Sequence, residues 1–362
     1  MNESLSESVR DVRIGAARPL LSPALLRDEL PLSDAAAKVV VRGRHEVTRA
    51  LCGEDERLLV VVGPCSVHDP AAALEYAQRL AVLNEDVKDD LLVVMRVYFE
   101  KPRTTLGWKG LINDPDLDGT YNVNKGLRAA RKILLGVLDL GLPAGCEFLD
   151  PIIPQYIADT VSWGAIGART SESQVHRHLA SGLSMPVGFK NSTSGDVQGA
   201  VDAVGAAAAS HVFTGINEDG LASILTTRGN PDCHVILRGG QTGTNYDASS
   251  VAGARERLAK AGVLDRVVVD ASHGNSGKDH KRQPLVAEDV ASRIATGDRG
   301  VVGMMLESFL VPGRQDLVDG QVNGLVYGQS ITDACMGWDT TADVLHGLAT
   351  AVRTRRSAQV PA

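Results

Sequence analysis

Long apolar runs are missing from this 362-residue chain, and no stretch approaches the roughly 20 residues that a membrane-spanning helix needs. The opening MNESLSESVRDVR is polar and acidic and lacks the apolar centre of a secretory signal, so a cytoplasmic protein with no membrane partner is expected. Excess positive charge is missing too. A formal net charge of −7 gives no drive toward nucleic acid, although a local basic pocket can still meet a small anion. Cysteine is scarce. The five residues Cys52, Cys65, Cys146, Cys233 and Cys335 are odd in number and widely spaced, which argues against a disulfide framework and for a reducing compartment. Low-complexity tracts are absent, and no GxGxxG follows the first apolar run, which weakens a dinucleotide-binding reading.

What is present is a rhythm. Eight short β-branched runs recur: LLVVVG (58–63), LLVVMRVYF (91–99), AGCEFL (144–149), SWGAIGA (162–168), MPVGFK (185–190), CHVILRGG (233–240), RVVVDA (266–271) and GVVGMMLES (300–308). Helix signals fall between them. Asp69-Pro70 opens AAALEYAQRLAVL, 120–141 has helical periodicity and ends at a glycine, Ser173 precedes QVHRHLASG, and Asp247 precedes ASSVAGARERLAKAG. Near-continuous rather than alternating apolar runs suit strands buried on both faces. Eight such β-then-α units predict an α/β fold of the (β/α)8 TIM-barrel type, with a doubly wound open sheet as the rival. The predicted barrel spans 58–352, after an N-terminal extension over 1–57 and before a short tail over 353–362. Residues 210–228 hold two short runs joined by NEDG and predict a β-hairpin inserted between the fifth and sixth units.

In such a barrel chemistry gathers at the C-terminal strand ends. Cys65, His273, Glu307 and Asp333 follow different runs, Asp333 at the expected start of the last helix, and form a plausible set for one divalent metal ion. Arg96, Lys101, Arg103, Arg169, Lys190 and Arg238 form a basic ring, which needs phosphate or carboxylate to neutralise it. Taken singly, each residue also has a plain reading: a core thiol, a helix cap or a solvated charge. Lys190 fits, in addition, the Schiff-base nucleophile of a metal-independent aldolase. A sensor of phosphorylated metabolites is a third possibility.

The stretches GPCSVHDP, MRVYFEKPRTTLGWKGLINDP, CEFLDPIIPQY, GARTSESQVHRHLASGLSMPVGFKN, HVILRGG, DASHGNSGK, ESFL and YGQSITDACMGWDTT closely resemble the type I 3-deoxy-D-arabino-heptulosonate 7-phosphate (DAHP) synthases, over about residues 35–350. The resemblance implies condensation of phosphoenolpyruvate with D-erythrose 4-phosphate, the first step of the shikimate pathway. It implies Cys65, His273, Glu307 and Asp333 as ligands of Mn2+, Fe2+, Co2+ or Zn2+. Arg96, Arg169, Lys190 and Arg238 would hold phosphoenolpyruvate, and Lys101 would stand beside the reacting carbons. Arg103 and Thr104 would take the phosphate of erythrose 4-phosphate, and Glu147 would position groups or water. A related enzyme uses arabinose 5-phosphate, but the KPRTT segment and the hairpin favour the four-carbon sugar.

The resemblance also gives the extra pieces a role. The N-terminal arm and hairpin would build an inhibitor site near a subunit contact of a homodimer or homotetramer, with Pro154, Gln155 and Gly215 among its residues. Glycine rather than serine at 215 makes room for a tyrosine hydroxyl, so tyrosine is the expected inhibitor. Two departures from the usual pattern fall beside His273: Ala271 replaces an aromatic residue, and Gly274 is expected to loosen the backbone. Cys335, two residues past Asp333, is expected to approach Cys65.

Overall fold

The eight apolar runs form the staves of a closed barrel. In the computed structural model, which describes residues 9–103, 105–318 and 324–358, the strands are Leu58–Gly63 (β1), Leu91–Arg96 (β2), Ala144–Glu147 (β3), Trp163–Ile166 (β4), Val187–Lys190 (β5), then the hairpin pair Val212–Ile216 (β6) and Ala222–Thr226 (β7), then His234–Leu237 (β8), Val267–Asp270 (β9) and Val301–Glu307 (β10). The closed order is β1-β10-β9-β8-β5-β4-β3-β2, parallel at every pairing. This is a (β/α)8 TIM barrel, and the open-sheet rival falls away.

The helices are Pro23–Glu29 (α1), Asp34–Cys52 (α2), Pro70–Val87 (α3), Val123–Asp139 (α4), Pro154–Ile157 (α5), Gln174–Gly182 (α6), Gln198–Ala208 (α7), Ala248–Lys260 (α8), His273–Ser276 (α9), Gln283–Ala295 (α10) and Trp338–Ser357 (α11). Their starts follow local chemistry. Asp69 accepts from the amides of Ala71 and Ala72 to cap α3, and Asp247 accepts from Ser249 and Ser250 to cap α8. Along β1, Leu58, Val60 and Val62 pack in the outer core with the helices, whereas Leu59 and Val61 pack with Leu92, Val94, Trp163, Ile236, Val268 and Met305 in the barrel interior. Val47, Ala50 and Leu51 of α2 join that inner cluster, so the N-terminal extension plugs one end of the barrel. The fit is close at Gly43, where a Cβ would stand 2.7 Å from both Pro143 and Ser162.

Strands β6 and β7 pair antiparallel, Val212 opposite Thr226 and Ile216 opposite Ala222, with Gly220 in the left-handed region of the turn. The N-terminal segment touches both the hairpin and α5. Ala24 donates to the Glu218 carbonyl, Arg27 pairs with Glu218, and Tyr156 donates to the Leu21 carbonyl.

One expected boundary is corrected. Asp333 does not start the last helix, which begins at Trp338 after Gly337. Residues 335–336 stay extended instead, bridging to Gly313 and Ser308. A small parallel pair, Val311–Arg314 (β11) with Gln329–Ser330 (β12), leads into that segment. No periodic pattern in the sequence announces two strands this short.

His234 carries a stability prediction. It is fully buried and accepts from the Trp163 indole at 3.2 Å through Nε2, which leaves Nδ1 to face the Asp232 carbonyl at 3.3 Å. Burial pushes it down to about 4 from the usual 6.5. A depressed histidine contributes stability above its unfolded value that is lost as pH falls through the folded one, so the window runs from about 6.5 to 4. A shift of this size corresponds to about 3 kcal/mol. Urea melts at pH 7 and 4.5 are expected to differ by less in His234→Gln than in the parent. Equal acid losses in both would refute the assignment.

Candidate active site at the C-terminal mouth of the barrel

Parallel pairing brings the last residues of the strands to one mouth. Arg96 ends β2, Glu147 ends β3, Lys190 ends β5, Asp270 ends β9 and Glu307 ends β10. The register sets Gly63 beside Glu307, so the chain leaving β1 delivers Cys65 next to that carboxylate. A cavity of about 280 Å³ opens there. Of the basic ring, Arg96, Lys101, Arg103, Arg169, Lys190 and Arg238 all line it, together with Glu147, His273 and Asp333. Thr104 lies outside the described residues.

The sulfur of Cys65 and carboxylate oxygens of Glu307 and Asp333 all lie within 4.8 Å of one another. His273 adjoins this trio, with Nε2 3.8 Å from Glu307. Its other nitrogen, Nδ1, is 2.9 Å from Asp270 Oδ2 and 2.8 Å from Ser272 Oγ. An ionised Asp270 can only accept there, so Nδ1 is the donor of this pair and Nε2 is the nitrogen on the Glu307 side. Burial favours protonation of Asp270, but His273 and Lys190 overcome it and hold the carboxyl well below the ordinary range. His273 takes a positive φ of 48°, a conformation unusual for a non-glycine residue. Gly274 does not loosen this turn as expected. Its backbone packs so closely that a Cβ would stand 2.5 Å from the Gly240 amide nitrogen. Ala271 is fully buried.

The donor set suits a divalent cation of borderline softness: one sulfur, one imidazole nitrogen, two carboxylates and a carboxylate orienting the imidazole. Burial, reinforced by Glu307, raises the Cys65 thiol above its ordinary value, and a bound cation would reverse that bias. Burial also favours protonation of Asp333, but Lys101, His273 and Lys278 outweigh it and hold the carboxyl below the usual range. Cys335 does approach Cys65: the Cys65 amide donates to its sulfur at 3.4 Å. Burial raises the Cys335 thiol well above its ordinary value, and all five cysteines are unbridged.

The basic ring is only partly self-neutralised. Arg96 bonds Glu307 at 2.8 Å and also donates to the carbonyls of Pro64 and Cys65. Lys190 lies 3.2 Å from Asp270. Lys101 donates to Cys65 Sγ at 2.9 Å; burial lowers its pKa, but Cys65 and Glu307 outweigh that and hold the ammonium above the ordinary lysine value. Among the described residues no carboxylate lies within ion-pair distance of Arg103, Arg169 or Arg238. Burial, with Arg169 acting in the same sense, lowers Arg238 below the ordinary guanidinium value. Three guanidiniums without carboxylate partners at a shared cavity are a receptor for a multiply charged anion.

Sequence reasoning did not assign Asp270, Lys278 or Thr193, although the structure puts all three at this mouth or against its residues. The polar end of VVVD signals Asp270, while Lys278 reaches the cavity because Gly277 and Lys278 both adopt positive φ. Pro154, Gln155 and Gly215 do not line this cavity.

A TIM barrel with its acidic, thiol-bearing cluster and cationic collar at the strand ends is an enzyme for anionic substrates. The comparisons make this specific. Residues 34–346 match the DAHP synthetase I family. The chain is 55% identical over 346 residues to the Phe-sensitive phospho-2-dehydro-3-deoxyheptonate aldolase of Escherichia coli K12, covering 96% of this chain and 98% of that one. It is 50% identical over 355 residues to the tyrosine-inhibited enzyme of Schizosaccharomyces pombe, covering 98% and 95%. The solved structure of the aldolase from Francisella tularensis SCHU S4 superposes with a TM-score of 0.92 at 49% identity, covering 95% of this chain and 99% of that one. The chain belongs to the type I DAHP synthase family, enzymes of the first step of aromatic biosynthesis.

Proposed function

We propose that the cavity holds phosphoenolpyruvate and D-erythrose 4-phosphate side by side, with one divalent ion held by Cys65, His273, Glu307 and Asp333. The observation that carries this reading is the convergence of a sulfur and two carboxylates within 4.8 Å beside the cationic collar. Arg96, Arg169, Lys190 and Arg238 bind phosphoenolpyruvate, and Arg103 takes the sugar phosphate, with Thr104 beside it in sequence. Fixing both anions at close approach converts a bimolecular condensation into a local one. The ion supplies Lewis-acid polarisation of the aldehyde oxygen when bound. Carbon 3 of phosphoenolpyruvate attacks the aldehyde carbon, water adds at carbon 2 beside Glu147, and collapse releases phosphate. Lys101, whose ammonium stays protonated at neutral pH, gives the proton to the new alkoxide.

The Schiff-base alternative is disfavoured because Lys190 is engaged with buried Asp270 at 3.2 Å, a contact that a Schiff base would have to break. Tyrosine is the inhibitor this reading assigns. Gly215 lies in the inserted hairpin, where a Cβ would stand 2.7 Å from Leu225 Cδ1, so a larger residue there would have to displace the Leu225 side chain. We assign a homodimer or homotetramer, supported by exposed Val9, Val12 and Ile14 on the arm and Val212 and Ile224 on the hairpin. A reducing cytoplasm suits the unbridged thiols, and no helix among the described residues is long and apolar enough to cross a membrane.

The test is phosphate release from phosphoenolpyruvate. It is expected with erythrose 4-phosphate and not arabinose 5-phosphate, to vanish on chelation, and to return with Mn2+, Fe2+, Co2+ or Zn2+. Tyrosine is expected to inhibit more strongly than phenylalanine or tryptophan. Activity that survives chelation, together with borohydride trapping at Lys190, would reverse the assignment.

A further inference from the structure

We infer that Glu100 is a positioning residue, whose carboxyl staples the loop bearing Lys101 and Arg103 to the segment that follows β3 and thereby sets where the sugar phosphate is met. The inference rests on the substrate assignment above. Glu100 is 3% exposed, immediately before Lys101. Its two oxygens accept from consecutive backbone amides, Oε2 from Leu149 at 3.3 Å and Oε1 from Asp150 at 3.1 Å. No lysine or arginine among the described residues pairs with it. The titratable groups around it are acidic or thiol: Asp150, Glu147 and Cys146.

A buried acid without a cation is costly, and burial pushes Glu100 up to about 8, Asp150 and Glu147 adding to it while the two amides oppose. Two adjacent amide donors explain why a carboxyl stands there. Each amide takes one carboxyl oxygen, and both oxygens of a carboxyl retain acceptor lone pairs whether or not it carries its proton, whereas a glutamine offers one acceptor and an NH2 that cannot accept. Both sides of the staple are rigid. On the loop side, the Lys101 amide donates to the Lys109 carbonyl, and Gly110 sits so close that a Cβ would stand 1.9 Å from the Phe99 carbonyl oxygen. On the other side, His176 Nε2 lies 2.7 Å from the Leu149 carbonyl oxygen and its Nδ1 3.0 Å from Ser173 Oγ. Glu100 therefore closes the neck of a loop whose cationic side chains, among the described residues, bond Cys65 and Trp108 and make no hydrogen bond to the β3 segment. Of the phosphoenolpyruvate cations, Arg169, Lys190 and Arg238 come from other strands, and Arg96, at the end of β2, is held by Pro64, Cys65 and Glu307 rather than by this tie.

The test is steady-state kinetics of the full chain carrying Glu100→Gln, with Glu100→Asp alongside and thermal melts of both. Glutamine is expected to raise KM for erythrose 4-phosphate about 10-fold and leave KM for phosphoenolpyruvate within about two-fold, because a small misplacement of a binding group is felt locally. Aspartate, which keeps both acceptors, is expected to recover most of that loss. Equal rises in both KM values, or no change in either, would overturn the inference. Should the glutamine variant fail to fold, Glu100→Ser, which removes both carboxyl acceptors, decides by the same split between the two substrates. A parent enzyme that released no phosphate from this substrate pair would instead count against the substrate assignment itself.

Discussion

Asp270→Asn is expected to weaken metal affinity by about 10- to 100-fold and to lower kcat/KM by at least as much at limiting metal. Asp270 is fully buried and serves two functional groups at once, accepting from His273 Nδ1 at 2.9 Å and pairing with Lys190 at 3.2 Å. Asparagine keeps the volume but loses the charge. His273 Nδ1 and Lys190 share Oδ2, and the Ser272 amide and hydroxyl meet Oδ1, so the NH2 of asparagine faces a donor on either side. The imidazole loses its firm orientation, and the ammonium loses its counter-ion. Excess metal is expected to restore only the first of these, so kcat recovers in part while KM for phosphoenolpyruvate stays raised. Metal titrations and kinetics at low and saturating metal check this, and unchanged affinity with unchanged KM would refute it. Truncation to alanine is a poorer test, because removing one partner of a buried pair costs about 3–5 kcal/mol of stability.

Arg96→Lys is the second large effect, expected to cut kcat/KM about 100- to 1000-fold with little change in melting temperature. Arg96 uses its planar fork fully: Nε donates to the Pro64 carbonyl, while Nη2 donates to the Cys65 carbonyl and to Glu307. Its guanidinium also lies 3.6 Å from the Tyr98 ring centroid. A lysine ammonium offers one compact charge and cannot hold the Cys65 carbonyl, the Glu307 carboxylate and a substrate anion together. The loss is expected mainly at the phosphoenolpyruvate step, and a variant with kinetics within about three-fold of the parent would contradict the assignment.

These residues also mark how far the chain could be read without coordinates. The barrel was legible because its strands are short, β-branched and buried on both faces, so runs such as LLVVVG and RVVVDA stand out against capped helices. The strand-end rule located Lys190 and Glu307, whereas Arg96 and Glu147 fall inside the runs 91–99 and 144–149 and prove to be the last residues of shorter strands. Contacts made by loops were not legible. Asp333 reaches the cluster through the bridges of Cys335 and Met336, which delay α11 to Trp338, and no local pattern encodes a bridge to Gly313 or Ser308. Asp270 looked like the polar end of a strand, and its two partnerships appear only when β5 and β9 have found their places. Glu100 was one acid in a charged loop until Leu149 and Asp150 folded against it.

The most direct test of the central claim, one metal ion gripped by Cys65 at the cationic mouth, is electronic absorption of the Co2+-loaded protein. A near-ultraviolet thiolate-to-metal charge-transfer band is expected in the parent, and its loss in Cys65→Ser with phosphoenolpyruvate binding retained. A parent without that band, or a serine variant that keeps it, would contradict the account.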